Sequence, residues 1–130
     1  MTLNDPLANM FSSVLNCERI GKKECIVKPV SNMIKKVLDV MKEGMYIGDY
    51  KEIKNQRGGE LHINLLGNIN KCGVIKPHYS VKKDGYEKYE KRFLPAKNFG
   101  ILIVSTTKGM MDHESAKKKS LGGKLIGYCY

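Results

Sequence analysis

Acidic side chains are scarce in this chain relative to basic ones. Thirteen Asp and Glu residues stand against 23 Lys and Arg residues, which leaves a formal net charge of +10 at pH 7. An excess of this size makes the folded chain repel itself and favours an anionic partner, most commonly nucleic acid and next an anionic membrane surface. Apolar residues, at 42%, are not scarce, so the composition is that of a globular protein.

Long hydrophobic runs are also missing. No apolar stretch approaches the roughly 20 residues that a membrane-spanning helix needs. The first residues, MTLNDPLANMF, have neither the basic leader nor the apolar run of a secretion signal. We therefore expect an intracellular protein without a membrane partner. In that compartment the four cysteines are expected to be reduced thiols and not two disulfides: Cys17, Cys25, Cys72 and Cys129.

Close pairs of metal ligands are absent as well. Zinc sites usually contain cysteines about two residues apart, whereas Cys17 and Cys25 are eight positions apart and the three histidines lie singly along the chain. The glycine pattern of a Walker phosphate loop is missing too, because in STTKGMM the lysine precedes the glycine. We therefore expect no metal, no bound nucleotide and no other cofactor.

Helical and alternating patterns divide the first half of the chain. The residues NDP at positions 4–6 are typical of a helix start, and apolar residues follow them at helical spacing. A short strand is predicted at residues 25–27, and a second helix begins after a cap at Ser31 and stops at Gly44. The period then falls to two in MYIGDYKEIKN and ELHINLL, which predicts a hairpin turning at residues 56–59.

Strands dominate the predicted second half. They are expected at residues 72–77, at 99–104, where the strand is fully buried, and at 124–130. The segment 78–95 is basic and rich in tyrosine, and its tyrosines are expected either to pack on strands or to stack on bases. One short helix is predicted at residues 112–120.

This order of elements predicts an α+β fold built from two small modules. Residues 1–69 are expected to form an N-terminal α/β module of helix, strand, helix and hairpin. Residues 70–130 are expected to form a C-terminal module that is mainly antiparallel β, with one short helix.

Three hydroxyl side chains, a lysine and a glycine follow the buried strand, in the order Ser105, Thr106, Thr107, Lys108, Gly109. A catalytic nucleophile among them would need a positioned base. His113 is near in sequence, but the sequence assigns no carboxylate that would orient it. An ordinary alternative is a turn that its own hydroxyl groups close.

The same five residues also suit a contact with nucleic acid. Hydroxyl groups both donate and accept hydrogen bonds, so they can read the 2′-hydroxyls, phosphate oxygens and base edges that RNA displays. Lys108 adds attraction to phosphate, Gly109 lets the backbone approach, and the predicted helix start behind the loop offers free N–H groups to anions. The residues alone leave the local turn and the nucleic-acid contact equally open.

Three blocks of the sequence resemble a known family, the universal small-subunit ribosomal protein eight in its archaeal and eukaryotic form. NDPLANMFSSVLN is similar to the N-terminal helix of that family, and VKPVSNMIKKVLDVMKEGMYIGDY to its strand–helix–strand segment. The third block, GILIVSTTKGMMDHESAKKKSLGGKLIGYCY, resembles the C-terminal signature and is the most specific of the three. Together the blocks cover most of the chain.

The resemblance implies a structural constituent of the small ribosomal subunit in the cytoplasm, without catalytic activity. It implies primary binding to the central domain of small-subunit rRNA early in assembly, with neighbouring small-subunit proteins as further partners and a monomer off the ribosome. Lys124 stands where bacterial members usually have a glutamate, and Asn32 where they tend to have a lysine. The RNA contacts that the resemblance implies are Asn4, Asp5, Lys28, Ser31, Asn32, Lys54, Arg57, Ser105, Thr106, Thr107, Lys108, Gly109, Gly122, Gly123 and Lys124.

Two other classes of function remain open from the sequence. A small enzyme would use the Ser/Thr-rich loop with His113 as its base. A basic protein-interaction module would bind RNA weakly and without strong salt dependence.

Overall fold

The computed structural model describes residues 6–28, 32–54, 59–75, 78–96 and 99–130. Within these ranges four helices and eight strands follow one another along the chain. None of the described helices is long and apolar enough to span a bilayer. In chain order the elements are α1 Pro6–Ile20, β1 Glu24–Val27, α2 Asn32–Glu43, β2 Ile47–Ile53, β3 Glu60–Leu65, β4 Cys72–Val74, β5 Ser80–Val81, α3 Tyr86–Phe93, β6 Ile101–Thr106, β7 Gly109–Asp112, α4 His113–Lys118 and β8 Gly123–Cys129.

The first half packs two helices with a three-stranded antiparallel sheet of order β1-β3-β2. The helices form where apolar residues recur every three or four positions, and those residues are buried. Helix α1 ends at Gly21, whose φ of 84° no ordinary side chain favours, and Lys22 there donates its N–H to the Cys17 carbonyl. In β3 the residues Leu61 and Ile63 point into the core while their neighbours stay on the outer face.

The second half is built on a five-stranded antiparallel sheet, in which four strands follow the order β4-β8-β6-β7 and the fifth, β5, pairs with β8. Four successive residues of β6, from Ile101 to Val104, are buried because both faces of this sheet are covered. Ile101 and Ile103 join one apolar cluster, and Leu102 and Val104 join another.

One apolar cluster extends across both halves of the chain. It contains Phe11 of α1 and Leu38 of α2 together with Ile103 and Ile126 of the second sheet. The approach is close, because a Cβ atom added at Gly127 would lie 2.8 Å from Cζ of Phe11. The two halves therefore share a core, and the division into modules at residues 69 and 70 stays a prediction.

The predicted α+β class is confirmed, with helices concentrated in the first half and antiparallel strands in the second. The expectation of one short helix in the second half is wrong in number, because α3 forms within the segment 78–95. Tyr86, Glu90 and Leu94 are buried at intervals of four residues, so one face of α3 meets the smaller cluster.

Candidate nucleic-acid interface

The hydroxyl-rich segment forms the tip of the β6–β7 hairpin. Thr106 pairs with Gly109, so Thr107 and Lys108 are the two residues of the turn. The Thr106 hydroxyl donates to the Gly109 carbonyl at 2.8 Å and accepts the Lys108 N–H at 3.2 Å. Gly109 has a φ of 118°, which a residue with a side chain rarely adopts. We call residues 105–109 the hairpin tip.

The two hydroxyls beside Thr106 remain free to bind a partner. Thr107 is exposed and Ser105 is half-buried, and neither hydroxyl forms a side-chain hydrogen bond to another described residue. Lys108 is exposed as well. The turn interpretation and the contact interpretation of this segment are therefore compatible, because the Thr106 hydroxyl closes the turn while those of Ser105 and Thr107 are not used in it.

The predicted helix start at Asp112 is confirmed, but it does not lie beside the hairpin tip. Strand β7 separates the hairpin tip from α4, which begins only at His113. The first turn of α4 is already capped, because the Asp112 carboxylate accepts the Ser115 N–H at 3.1 Å. Anion binding at the tip would therefore depend on the hairpin's own side chains and backbone, without the N–H groups of a helix.

The Gly122-Gly123 pair lies against the hairpin tip for a packing reason. A Cβ atom added at Gly123 would lie 2.3 Å from the Ser105 carbonyl oxygen, and one at Gly122 would lie 2.5 Å from the Val81 carbonyl oxygen. Real Cβ atoms do not approach backbone so closely, so both positions require glycine. The close approach pairs Thr106 with Gly123 and brings Lys124 opposite Ser105.

Two open surface depressions flank the hairpin tip. The first is lined by Ser105, Thr106 and Thr107 on one side and by Ser80, Val81, Lys82, Gly122, Gly123 and Lys124 on the other. The second lies toward α2 and is lined by residues of the tip together with Met33, Lys36 and Met110. The structure thus brings the tip and the 122–124 segment into one surface.

Four lysines surround this surface without carboxylate partners. Lys36, Lys82, Lys108 and Lys124 are exposed, and none of them forms an ion pair with a carboxylate among the described residues. Their charges are therefore available to an external anion. We call the hairpin tip, the 122–124 segment and these lysines the tip surface.

Sequence reasoning missed six residues that line the two depressions: Met33, Lys36, Ser80, Val81, Lys82 and Met110. Lys36 follows the polar side of a predicted helix, and Lys82 lies in a segment already noted as basic. Their charge was visible, but their position beside the tip depends on the α2–β7 and β5–β8 contacts, which no local pattern reveals.

The other predicted RNA contacts are only partly described. Asn32 is the exposed first residue of α2. Lys28 and Lys54 follow Val27 and Ile53, which are aligned at one end of the first sheet. The Lys28 ammonium lies 2.9 Å from Glu60, and this hydrogen bond lowers the pKa of the Glu60 carboxyl. Four predicted contacts lie outside the described residues: Asn4, Asp5, Ser31 and Arg57.

His113 is held inside the fold and not at the hairpin tip. Its Nε2 lies 3.0 Å from Oε1 of Glu90, and its Nδ1 accepts the Leu102 N–H at 3.0 Å. Glu90 is therefore the orienting carboxylate that the sequence did not assign. Leu102 nevertheless precedes Thr106 by four strand residues, about 13 Å, so His113 cannot serve the tip hydroxyls as a base.

Lys117 is a third member of this group, because its ammonium contacts the same Glu90 carboxylate oxygen as His113. Because Nδ1 of His113 accepts a hydrogen bond, the proton of the neutral ring is on Nε2, which donates to Glu90. Burial lowers the pKa of His113, against the opposing effect of the Glu90 charge. Among the described residues, no group of three or more His, Cys, Asp or Glu side chains is placed to hold a metal ion.

Comparison with protein families gives a match to nearly the whole chain. The model of the family described as Ribosomal protein S8 matches residues 5–130. The matched span includes the whole tip surface.

Proposed function

Because this chain belongs to the ribosomal protein S8 family, we propose that it binds the central domain of small-subunit rRNA through the tip surface and supports assembly there. Family membership makes it an rRNA-binding ribosomal protein of the small subunit, with a structural and not an enzymatic role in translation. The RNA domain, the contacting residues and the role in assembly are the parts that we add.

The observation that carries the proposal is the composition of the tip surface. Two free hydroxyls, Ser105 and Thr107, lie among four lysines that have no carboxylate partner in the described structure. A surface of this kind can bind phosphates by charge and read 2′-hydroxyls and base edges by hydrogen bonds.

The two kinds of group are expected to act differently. The lysines neutralise phosphates and release counterions, which supplies affinity that falls as salt increases. Ser105 and Thr107 donate or accept hydrogen bonds at fixed positions on the hairpin, which selects one RNA shape. Thr106 contributes indirectly, because its hydroxyl is already used inside the turn.

The experiment compares binding of a folded central-domain rRNA fragment with binding of a mutated fragment over a range of salt. The Ser105→Ala/Thr107→Ala double variant should no longer discriminate between the two RNAs. Each specific hydrogen bond to RNA that it removes should reduce the binding free energy for the cognate RNA by about 1–3 kcal/mol. Lys82→Ala and Lys124→Ala should instead each reduce the salt slope by about 0.7–0.9.

Lys51→Ala is the matched control, because Lys51 is an exposed lysine on β2 of the other sheet. It should leave both the discrimination between the two RNAs and the contribution of the tip lysines to the salt slope unchanged. Equal losses of affinity for cognate and mutated RNA in the Ser105→Ala/Thr107→Ala variant would refute the selective role of the hydroxyls. Binding that does not depend on salt would favour a protein-interaction module instead.

We further propose that the protein functions in the cytoplasm within the small subunit, contacts neighbouring small-subunit proteins and is a monomer off the ribosome. The archaeal and eukaryotic type of the family also stays a prediction. Sedimentation of a cell extract through a sucrose gradient tests the association. The chain should move with small subunits at moderate salt, and its absence from that fraction would contradict this part of the proposal.

A further inference from the structure

We propose that a second surface, formed by partly exposed aromatic residues along α3 and the end of β8, binds unpaired RNA nucleotides by stacking. The inference rests on the proposed role in rRNA binding and adds a different kind of contact to it. We call this surface the aromatic strip, and its six members are Tyr79, Tyr89, Phe93, Phe99, Tyr128 and Tyr130.

The six rings form two groups of contacting rings, a pair and a series of four. Tyr79 and Tyr89 have ring centroids 5.4 Å apart. Phe93 stacks on Tyr128 with centroids 5.7 Å apart, and the series continues from Tyr128 to Tyr130 at 6.2 Å. It ends at Phe99, whose ring is 6.3 Å from that of Tyr130.

Arg92 joins the two parts of the aromatic strip. Its guanidinium lies 5.4 Å from the ring centroids of both Tyr79 and Phe93, and Lys88 lies 5.8 Å over Tyr89. Arg92 and Lys88 are exposed, and neither forms an ion pair with a described carboxylate. Rings interleaved with cations that have no carboxylate partner are the elements of a surface that binds single-stranded nucleic acid.

The strip is not simply the aromatic part of the core. Tyr86, on the buried face of α3, is fully enclosed and donates its hydroxyl to the Leu121 carbonyl at 2.8 Å. Tyr89 and Phe93 lie at the margin of the same helix and are only half-buried, and Phe99 is 48% exposed. Tyr79, Tyr89, Phe93 and Tyr128 pack against the smaller apolar cluster and are still partly exposed, so the strip lies at the margin of the core where its rings can also meet an external partner.

The charges near the strip favour RNA over a protein partner with a neutral apolar face. The two acidic residues of α3 are engaged elsewhere: Glu90 is buried against His113, and Glu87 lies 3.9 Å from Lys91. Because neither carboxylate pairs with Arg92 or Lys88, these two cations can attract phosphates. Every base also has a flat face, so stacking here needs no particular sequence.

The position of the strip suits an RNA strand that leaves the tip surface. Tyr79 directly precedes Ser80, which lines a depression beside the hairpin tip. Tyr128 lies five residues along β8 from Gly123, a distance of about 17 Å. An RNA helix held at the tip could therefore place unpaired nucleotides on the aromatic strip without leaving the protein.

The experiment measures binding of a single-stranded oligoadenylate octamer by intrinsic tyrosine fluorescence. The chain has no tryptophan, and four of its seven tyrosines belong to the strip, so stacked bases should quench the signal. Tyr89→Leu and Arg92→Gln should each weaken octamer binding about tenfold, as expected for loss of one stacked base. Tyr89→Phe, which keeps the flat ring, should retain it.

Controls separate this proposal from the proposed function. Tyr50→Leu, on β2 of the other sheet, should bind the octamer like the unchanged protein, and thermal unfolding should show that every variant is folded. The Ser105→Ala/Thr107→Ala variant should lose rRNA discrimination while still binding the octamer. Octamer binding that the strip variants do not weaken would overturn the aromatic strip proposal and leave the tip surface in place.

Two further outcomes are also decisive. If the octamer binds and the rRNA fragment does not, the strip is supported and the proposed function fails. If the octamer does not bind, the stacking proposal is wrong. If Tyr89→Leu then weakens incorporation of the chain into small subunits, the strip is an interface for a protein.

Discussion

A single methyl group at Gly123 should disturb both the stability of the fold and the shape of the tip surface. In Gly123→Ala the new Cβ would lie 2.3 Å from the Ser105 carbonyl oxygen and 2.9 Å from Cγ1 of Val104. The oxygen belongs to the backbone of the neighbouring strand and cannot rotate away. Strand β8 must therefore move from β6 next to the hairpin tip, by about 1 Å to restore an ordinary contact of roughly 3.4 Å.

Two terms set the magnitude of the effect. Overpacking of a tightly packed site usually costs about 1–3 kcal/mol. Replacing a strand glycine by alanine returns about 0.5–1 kcal/mol, because the unfolded chain loses flexibility. We therefore expect Gly123→Ala to lower the free energy of unfolding by about 1–2 kcal/mol, which corresponds to about 3–5 °C in the melting temperature per kcal/mol.

Gly48→Ala is the matched control. Gly48 also lies in a strand, but a Cβ there would meet its nearest atom, Cβ of Asn64, at 3.3 Å. This contact is slightly tight and no backbone atom lies closer than 3.5 Å, so the free energy of unfolding should change by less than about 0.5 kcal/mol. Urea unfolding followed by circular dichroism measures both variants.

RNA binding provides the second measurement on Gly123→Ala. A displaced Ser105 should lose the hydrogen bond to the rRNA fragment that we propose for it, which should weaken binding about tenfold under conditions where the variant remains folded. If Gly123→Ala were as stable as Gly48→Ala, the close approach of β8 to β6 would not be a constraint, and our account of the glycine pair would be wrong.

Three other predictions concern the buried polar groups. Glu90→Ala leaves the Nε2–H of buried His113 without its acceptor and should cost about 1–3 kcal/mol in urea unfolding, whereas Glu90→Gln retains an acceptor and should cost less. Because burial lowers the pKa of His113, the unfolded chain takes up this proton first as the pH falls. The contribution of His113 to stability is therefore fully present above pH 6.5 and should decline below it, with a slope of at most about 1.4 kcal/mol per pH unit. The variant His113→Gln should lack this decline. Tyr86→Phe removes the hydrogen bond to the Leu121 carbonyl and should cost about 0.5–1.5 kcal/mol by the same unfolding assay.

The elements that the sequence predicted correctly are those with a strong and local apolar period. Helices α1 and α2 and the β2–β3 hairpin form where periods of 3.6 and 2 are clear, and their buried residues are those that the pattern selects. Strand β6 was also expected, because four consecutive buried residues need a sheet covered on both faces.

The elements that were missed have weak or mixed patterns. In α3 the buried positions include Tyr86 and Glu90. Because Glu90 is charged, the apolar period of a helix is not visible in this segment. Its burial becomes understandable only with His113, which is 23 positions away in the sequence. Strand β7 has four residues and was hidden between the hydroxyl segment and α4, because its pairing with β6 and not its own composition makes it a strand.

The candidate site shows the same limit for functional residues. The hydroxyls, Lys108 and the glycine pair were chosen by local chemistry and by resemblance, and the structure does bring 105–109 and 122–124 together. Lys36 and Lys82 could not be selected in this way, because lysines on helices and turns are common and only the folded chain shows which ones lie beside the hairpin.

The glycine pair also shows that one motif can serve both the packing of the fold and the binding of RNA. Gly123 has no side chain with which to bind RNA, yet its small size lets β8 approach β6 and so places Lys124 opposite Ser105. Position 123 should therefore affect stability and RNA discrimination together, whereas position 124 should affect affinity alone. A variant at Lys124 that destabilised the fold as strongly as Gly123→Ala would show that this separation of packing from binding does not exist.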